Sequence, residues 1–231
     1  MPVRPPSTFE ETVERLGTAI RLGLLPPGSR LPSERELAGE LRISRSTLRH
    51  ALTTLVQSGH LVSLRGRAGG TFVSEQPPLA EEGHGEPLDQ EALAVLDYRV
   101  AVECGVALLA AERSEAESLS RLDELVERMA AQLDDFEEYR RTDIRFHIGI
   151  AEEARSPRLV GAMTEVQGQM TDLIALIAHP AEVLGRANDQ HRALVRALKE
   201  GEGPRAMRLM REHTEGTEHI LAGLLPARTT A

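Results

Sequence analysis

Residues 31–73 read LPSERELAGELRISRSTLRHALTTLVQSGHLVSLRGRAGGTFV. Ser33 is a strong N-cap with Glu36 placed to answer it as a capping box, so a short helix opens there and runs to about Leu41. Arg42 and Ile43 leave room only for a tight connection. Ser44 caps the next helix, which continues to about Ser58 and stops at Gly59. Within it Leu48, Ala51, Leu52, Leu55 and Val56 form an apolar packing stripe, while Ser46, Arg49, His50 and Thr53 face away. His60–Leu64 and Thr71–Val73 read as two short strands around the loop Arg65-Gly66-Arg67-Ala68-Gly69-Gly70.

Working upstream, Phe9, Val13, Leu16 and Ile20 recur at helical spacing behind a capping box, Ser7-x-x-Glu10, and Leu24-Leu25-Pro26-Pro27-Gly28 ends that helix. Three helices and a two-stranded wing within 76 residues make a winged helix-turn-helix, whose second motif helix enters the major groove of DNA. Charge agrees. The whole chain carries -9, yet residues 1–76 hold ten Arg against seven acids, and from Arg42 to Arg67 there are five Arg and no acid. Phosphate binding needs a basic patch, and total charge does not decide it. Arg45 lies at the groove-facing end of the recognition helix, where a guanidinium fork fits guanine O6/N7 or a phosphate. Ser44, Ser46 and Thr47 offer short hydroxyl donors to phosphate oxygens near a helix N-terminus. Arg65 and Arg67 flank Gly66 at the wing tip.

Downstream, residues 77–87 lie in a stretch rich in Pro, Gly and Glu, expected to be a linker. Beyond it the pattern is helical throughout, with helices near 88–112, 115–136, 138–154, 157–178, 182–200 and 204–224. Ser114-x-x-Glu117 is a further capping box, and Pro157 and Pro204 stand at helix starts. The expected architecture is mainly α: residues 1–76 as the DNA-binding domain, and 88–231 as an all-α helical bundle for effector binding and dimerisation.

Three histidines in that bundle point inward. His191 centres a stripe of Leu184, Ala187, Leu194, Val195 and Leu198; His213 centres another of Ala206, Leu209, Met210 and Ile220. Asp143 and His147, one turn apart, share a face with Tyr139, Phe146 and Ile150. A charged Asp on an apolar face needs a partner. One carboxylate and three imidazoles can surround a divalent ion, with core histidines satisfied by hydrogen bonds as the alternative. Arg99 lies on a helix that is apolar nearly all round and needs an anion, which Glu103, one turn on, can be.

The remaining composition narrows the class. Hydrophobic residues make up 41%, enough for packed cores, while Trp is absent and aromatics are 3%, which argues against stacking platforms for single strands. One cysteine, Cys104, excludes an intramolecular disulfide. No apolar run reaches membrane-spanning length, and the start MPVRPPSTFEE has no apolar core of a secretory signal, so a cytoplasmic protein is expected.

The N-terminal segment, above all LPSERELA and SRSTLRHAL, resembles the DNA-binding domain of the GntR family of regulators. The resemblance implies that Arg35, Arg45, Arg49 and Gly66 touch DNA. Residues 88–224 resemble the FCD effector domain of the FadR branch, through Tyr98-Arg99-x-x-x-Glu103, Asp143-x-x-Phe146-His147, Asp189-Gln190-His191 and Met210-x-x-His213. It implies a divalent metal, zinc first with nickel or manganese as alternatives, on Asp143, His147, His191 and His213. It also implies that Arg99, oriented by Glu103, holds the carboxylate of a small organic acid. Presence of all four ligands argues against the branch that binds acyl-CoA.

The expected function is a ligand-responsive transcription regulator, a repressor, acting as a homodimer on a pseudo-palindromic operator in double-stranded DNA. Its alternative is a metal-dependent enzyme with an accessory DNA-binding module; against that, no general base stands beside the ligands and no HExxH signature occurs. A nucleoid-type protein would have no use for the buried polar cluster.

Overall fold

The computed structural model describes residues 8–66, 69–78, 88, 90–115 and 117–224. Three helices come first: α1 (Thr8–Arg21), α2 (Glu34–Leu41) and α3 (Arg45–Gln57). Ser33 caps α2 as expected: its hydroxyl accepts the Glu36 N–H, and Glu36 reaches back to the Ser33 N–H at 3.1 Å. Arg42 adopts the left-handed conformation (φ 56°) and closes the turn, its N–H going back to Ala38 and Gly39. Ser44 then accepts the Thr47 N–H at 3.0 Å to open α3. Phe9, Val13, Leu48, Ala51 and Leu55 are all almost fully buried, so the α1–α3 packing is the core of this part.

Strands β1 (Leu61–Leu64) and β2 (Gly70–Val73) pair antiparallel, Leu61 opposite Val73 and Leu64 opposite Gly70. The segment before α2 joins them: Leu31 N–H donates to Thr71 O and Val73 N–H to Ser29 O, both at 2.9 Å. This is the wing. Expected Arg67 lies outside the described residues, as do Ser7 of the first capping box and most of the linker.

Six helices follow among the described residues: α4 (Gln90–Arg113), α5 (Ser120–Ala130), α6 (Phe136–Glu153), α7 (Pro157–Ile174), α8 (Ala181–Lys199) and α9 (Gly203–Leu224). The helix expected over 115–136 is confined to Ser120–Ala130. Asp135 explains one end, because its side chain caps α6 by accepting the Glu138 N–H at 3.1 Å. Ser114 explains the other: its N–H closes α4 on Ala110 O instead of starting a helix. A core of Val106, Ala110, Phe146, Ile150, Met163, Leu194 and Leu198 fills the bundle. No helix among the described residues is long and apolar enough to cross a membrane.

Chain contacts divide into two compact units. One takes the residues up to 88 with 173–180 and those from 216 onward; the other takes 90–172 and 181–215.

Candidate functional site

In the first unit, the outward face of the helix-turn-helix is polar and open. Arg35, Ser44, Arg45, Ser46 and Arg49 are exposed and Thr47 is half-buried; Arg65 and Gly66 are exposed at the wing. Arg49 is not loose, because Glu34 on α2 accepts hydrogen bonds from its Nη2 at 2.9 Å and Nε at 3.3 Å. The Ser44 hydroxyl is committed to the cap and lies 2.8 Å from both the Ser46 and Thr47 hydroxyls, so the three form one cluster at the start of α3.

In the second unit, four helices converge on a buried polar centre. Asp143 and His147 come from α6, His191 from α8 and His213 from α9; Arg99 and Glu103 come from α4. Each is buried, with His147 and His191 at 1% exposure and Glu103 at 0%. The Nε2 atoms of His191 and His213 lie 3.4 Å apart. Asp143 Oδ1 stands 3.7 Å from His147 Nε2 and 3.6 Å from His191 Nε2. Nitrogen ligand atoms of the three histidines all fall within 4.8 Å of one another. Adjacent ligand atoms bonded to one divalent ion at about 2.0–2.2 Å lie about 2.9–3.5 Å apart, whether or not a further position stays open. The donor set and its spacing therefore fit a divalent ion.

Protonation agrees with that use. Burial pushes His191 down to about 3, despite the opposing charge of Asp143. Burial, reinforced by His191, also pushes His213 well below the usual imidazole range. Both rings are then neutral at pH 7 and have a lone pair to give. The His213 Nδ1 lies 2.9 Å from Gln190 Oε1, an acceptor, which puts the proton on Nδ1 and leaves Nε2 bare. His191 Nδ1 is buried without a hydrogen-bond partner among the described residues. Burial raises Asp143, but His147, Arg140 and His191 outweigh it and hold the carboxyl below its ordinary value. Phe146 packs on the His191 ring with centroids 4.6 Å apart, which fixes the ring's plane.

Arg99 donates from Nε to Glu103 Oε1 at 3.0 Å, and its Nη1 is buried with no hydrogen-bond partner among the described residues. An unfilled donor on a buried guanidinium suits an incoming anion.

Two residues escape a reading of the sequence. Arg140 is 7% exposed and donates to Asp143 Oδ2 at 2.6 Å, to Gln167 Oε1 at 3.0 Å and to Gln167 O at 2.8 Å. Gln167 on α7 donates in turn to Glu103 Oε1 at 3.0 Å. The spacing of Arg140 three residues before Asp143 was the one available signal. The Gln167 amide meets Glu103 and Arg140, both on other helices, and nothing local marks it.

Two family descriptions match this chain: "Bacterial regulatory proteins, gntR family" over residues 8–73, and "FCD domain" over residues 94–216. The HTH-type transcriptional regulator RmpR of Mycobacterium gastri is 37% identical over 208 residues, covering 87% of this chain and 75% of that protein. The L-lactate dehydrogenase operon regulatory protein of Escherichia coli (strain K12) is 29% identical over 228 residues, covering 92% and 86%. The solved structure of E. coli McbR/YncC shares the fold at a TM-score of 0.52 and 22% identity, over 93% of this chain and 97% of that one. The chain belongs to the GntR family of bacterial regulatory proteins, in the class that carries an FCD domain. It is a DNA-binding transcription regulator, and the expected fold class, a winged helix-turn-helix followed by an all-α FCD bundle, holds.

Proposed function

We propose that this regulator is a repressor whose operator affinity is set by a small organic acid bound beside a divalent ion in the helical unit. The observation that carries the reading is the convergence of three buried imidazoles with ligand nitrogens within 4.8 Å of one another, and of Asp143 Oδ1 at 3.7 Å and 3.6 Å from two of them. His147, His191, His213 and Asp143 would hold the ion, zinc in the first instance, with nickel or manganese as the other candidates. An ion held there would supply Lewis acidity toward a carboxylate. Arg99, with Nη1 unfilled, takes the same carboxylate from the other side, and Glu103 holds Arg99 in place. That one relative is named for an L-lactate dehydrogenase operon supports an acid as effector.

Residues 1–76 read the operator through Arg35, Arg45, Arg49, Arg65, Gly66 and Arg67 and the hydroxyls of Ser44, Ser46 and Thr47. Residues 88–231 form the sensing and dimerising part, and 77–87 the linker. The working form is a homodimer on a pseudo-palindrome, since two-fold operators mirror two-fold proteins. The acid acts by stabilising one dimer arrangement over another, which requires different affinity for the two.

The test is operator affinity of zinc-loaded protein at fixed salt, with and without each acid of a panel of hydroxy, keto, sugar and dicarboxylic acids. The proposal expects one acid class to weaken operator binding by about five- to 150-fold. Affinity unchanged by every acid, together with no acid raising the melting temperature, contradicts it.

A further inference from the structure

Behind the proposed ligands lies a continuous chain of buried polar groups that the reading above does not use. Gln167 is its junction. Its Nε2 donates to Glu103 Oε1 at 3.0 Å, and its Oε1 accepts from Arg140 Nη1 at 3.0 Å. The amide has one possible orientation here, because the end facing a carboxylate must be NH2 and the end facing a guanidinium must be oxygen. Gln167 thus joins two ion pairs, Arg99–Glu103 and Arg140–Asp143, into one network. Gln167 is 2% exposed, Glu103 0% and Arg140 7%, so the network is shielded from bulk solvent.

Each end of the network touches a candidate ligand of α6. Arg140 takes Asp143 Oδ2 at 2.6 Å, leaving Oδ1 as the oxygen that faces His147 and His191. Glu103 Oε2 lies 2.9 Å from His147 Nδ1, an ion-pair approach without hydrogen-bond geometry, and neither atom has a hydrogen-bond partner among the described residues. An ionised carboxylate only accepts, so an approach this close puts the imidazole proton on Nδ1 and leaves Nε2 as the lone-pair atom. Nε2 is the atom that faces Asp143 Oδ1. Arg99 and Gln167 both donate to Glu103 Oε1, the setting of a charged carboxylate.

We propose that Glu103 is a positioning residue for the ion: clamped by Arg99 and Gln167, it fixes the tautomer and ring orientation of His147, while Arg140 fixes Asp143 for one-oxygen ligation. This rests on the metal reading above. Outer carboxylates that orient a ligating histidine commonly matter ten- to hundredfold in affinity. The arrangement also makes Glu103 common to both halves of the site, since the same carboxylate holds Arg99 and His147. Its Oε1 accepts from Arg99 and Gln167, and its Oε2 is the oxygen turned to His147.

The probe is Co2+ alone, titrated into chelator-stripped full-length protein and followed by its d–d absorption. Wild type, Glu103→Gln and Gln167→Met are compared, with metal-free melting temperatures as the control for folding. Glu103→Gln removes the charge at nearly constant shape, and Gln167→Met removes the junction while leaving both ion pairs. The proposal expects Glu103→Gln to weaken Co2+ by about ten- to hundredfold with an altered d–d band. It expects a smaller loss in Gln167→Met. Wild type with no d–d band overturns the metal reading and this inference with it. A wild-type band reproduced in position, intensity and affinity by Glu103→Gln overturns this inference alone. If Glu103→Gln fails to fold, a Gln167→Met titration identical to wild type overturns it.

Discussion

Glu34 at the start of α2 grips Arg49 on α3, its Oε2 accepting from Nη2 at 2.9 Å and from Nε at 3.3 Å. The bond spans the two helices of the DNA-reading motif and engages one edge of the guanidinium. Among the described residues, the opposite edge has no hydrogen-bond partner and can take a base or phosphate. Glu34 is also a negative charge on a face that must meet phosphates. Replacing it with Gln is expected to raise affinity for non-specific DNA. The specific-to-non-specific ratio should fall, by up to about fivefold for a surface pair of this kind. Arg49→Ala should cost about 1–3 kcal/mol at the operator. Binding curves on operator and scrambled duplexes at matched salt check both; an unchanged ratio in Glu34→Gln removes the positioning role.

Arg99→Ala separates sensing from reading. The variant is expected to keep operator affinity, because Arg99 belongs to the helical unit, and to lose the response to whichever acid acts on wild type. The measurement is operator affinity with and without that acid; an undiminished response would leave Arg99 as no more than the partner of Glu103.

Helix packing makes a sharper demand on stability. A Cβ on Gly17 of α1 would sit 1.7 Å from the carbonyl oxygen of Gly223 near the end of α9, and one on Gly223 would sit 2.7 Å from the Glu14 backbone. Backbone cannot step aside as a side chain can. Gly17→Ala and Gly223→Ala should each destabilise by about 1–3 kcal/mol. Gly161→Ala is the contrast: it is exposed within α7, nothing lies within 4 Å, and it should stabilise by about 0.5–1 kcal/mol. Chemical denaturation of the three variants checks the order.

Much of this architecture is readable before any coordinate. Capping at Ser33 and Ser44 is a local matter of a hydroxyl and a nearby N–H, so spacing reveals it. The inward Asp143 and His147 are equally legible, since i and i+4 share a helix face. Arg140 is not, because it stands beside Arg141 in a run of charges that reads as a solvated face. Arg141 is indeed exposed and pairs with Glu138, while its neighbour is turned into the core. The shortened α5 was hidden for a different reason: Asp135 competes for backbone N–H groups, and composition alone does not say which helix it will start.

Cys104 supplies a pH test. Burial, with the negative Glu103 beside it, pushes its thiol up to about 11, against about 8.5 for a free thiol. A folded pKa above the unfolded one gives stability that is full below about pH 8.5 and is lost as pH rises toward 11. Folded protein should therefore react with a disulfide reagent far more slowly at pH 8 than the same protein in denaturant. Equal rates would mean that Cys104 is accessible and the packing of α4 is wrong.

A metal-dependent sensor requires that His147, His191, His213 and Asp143 hold an ion. Elemental analysis of protein purified without added metal, beside the His191→Ala/His213→Ala double variant, measures this directly. Close to one divalent ion per chain in wild type and almost none in the double variant is the predicted result; negligible metal in both would contradict it and reduce these four residues to polar groups of the core.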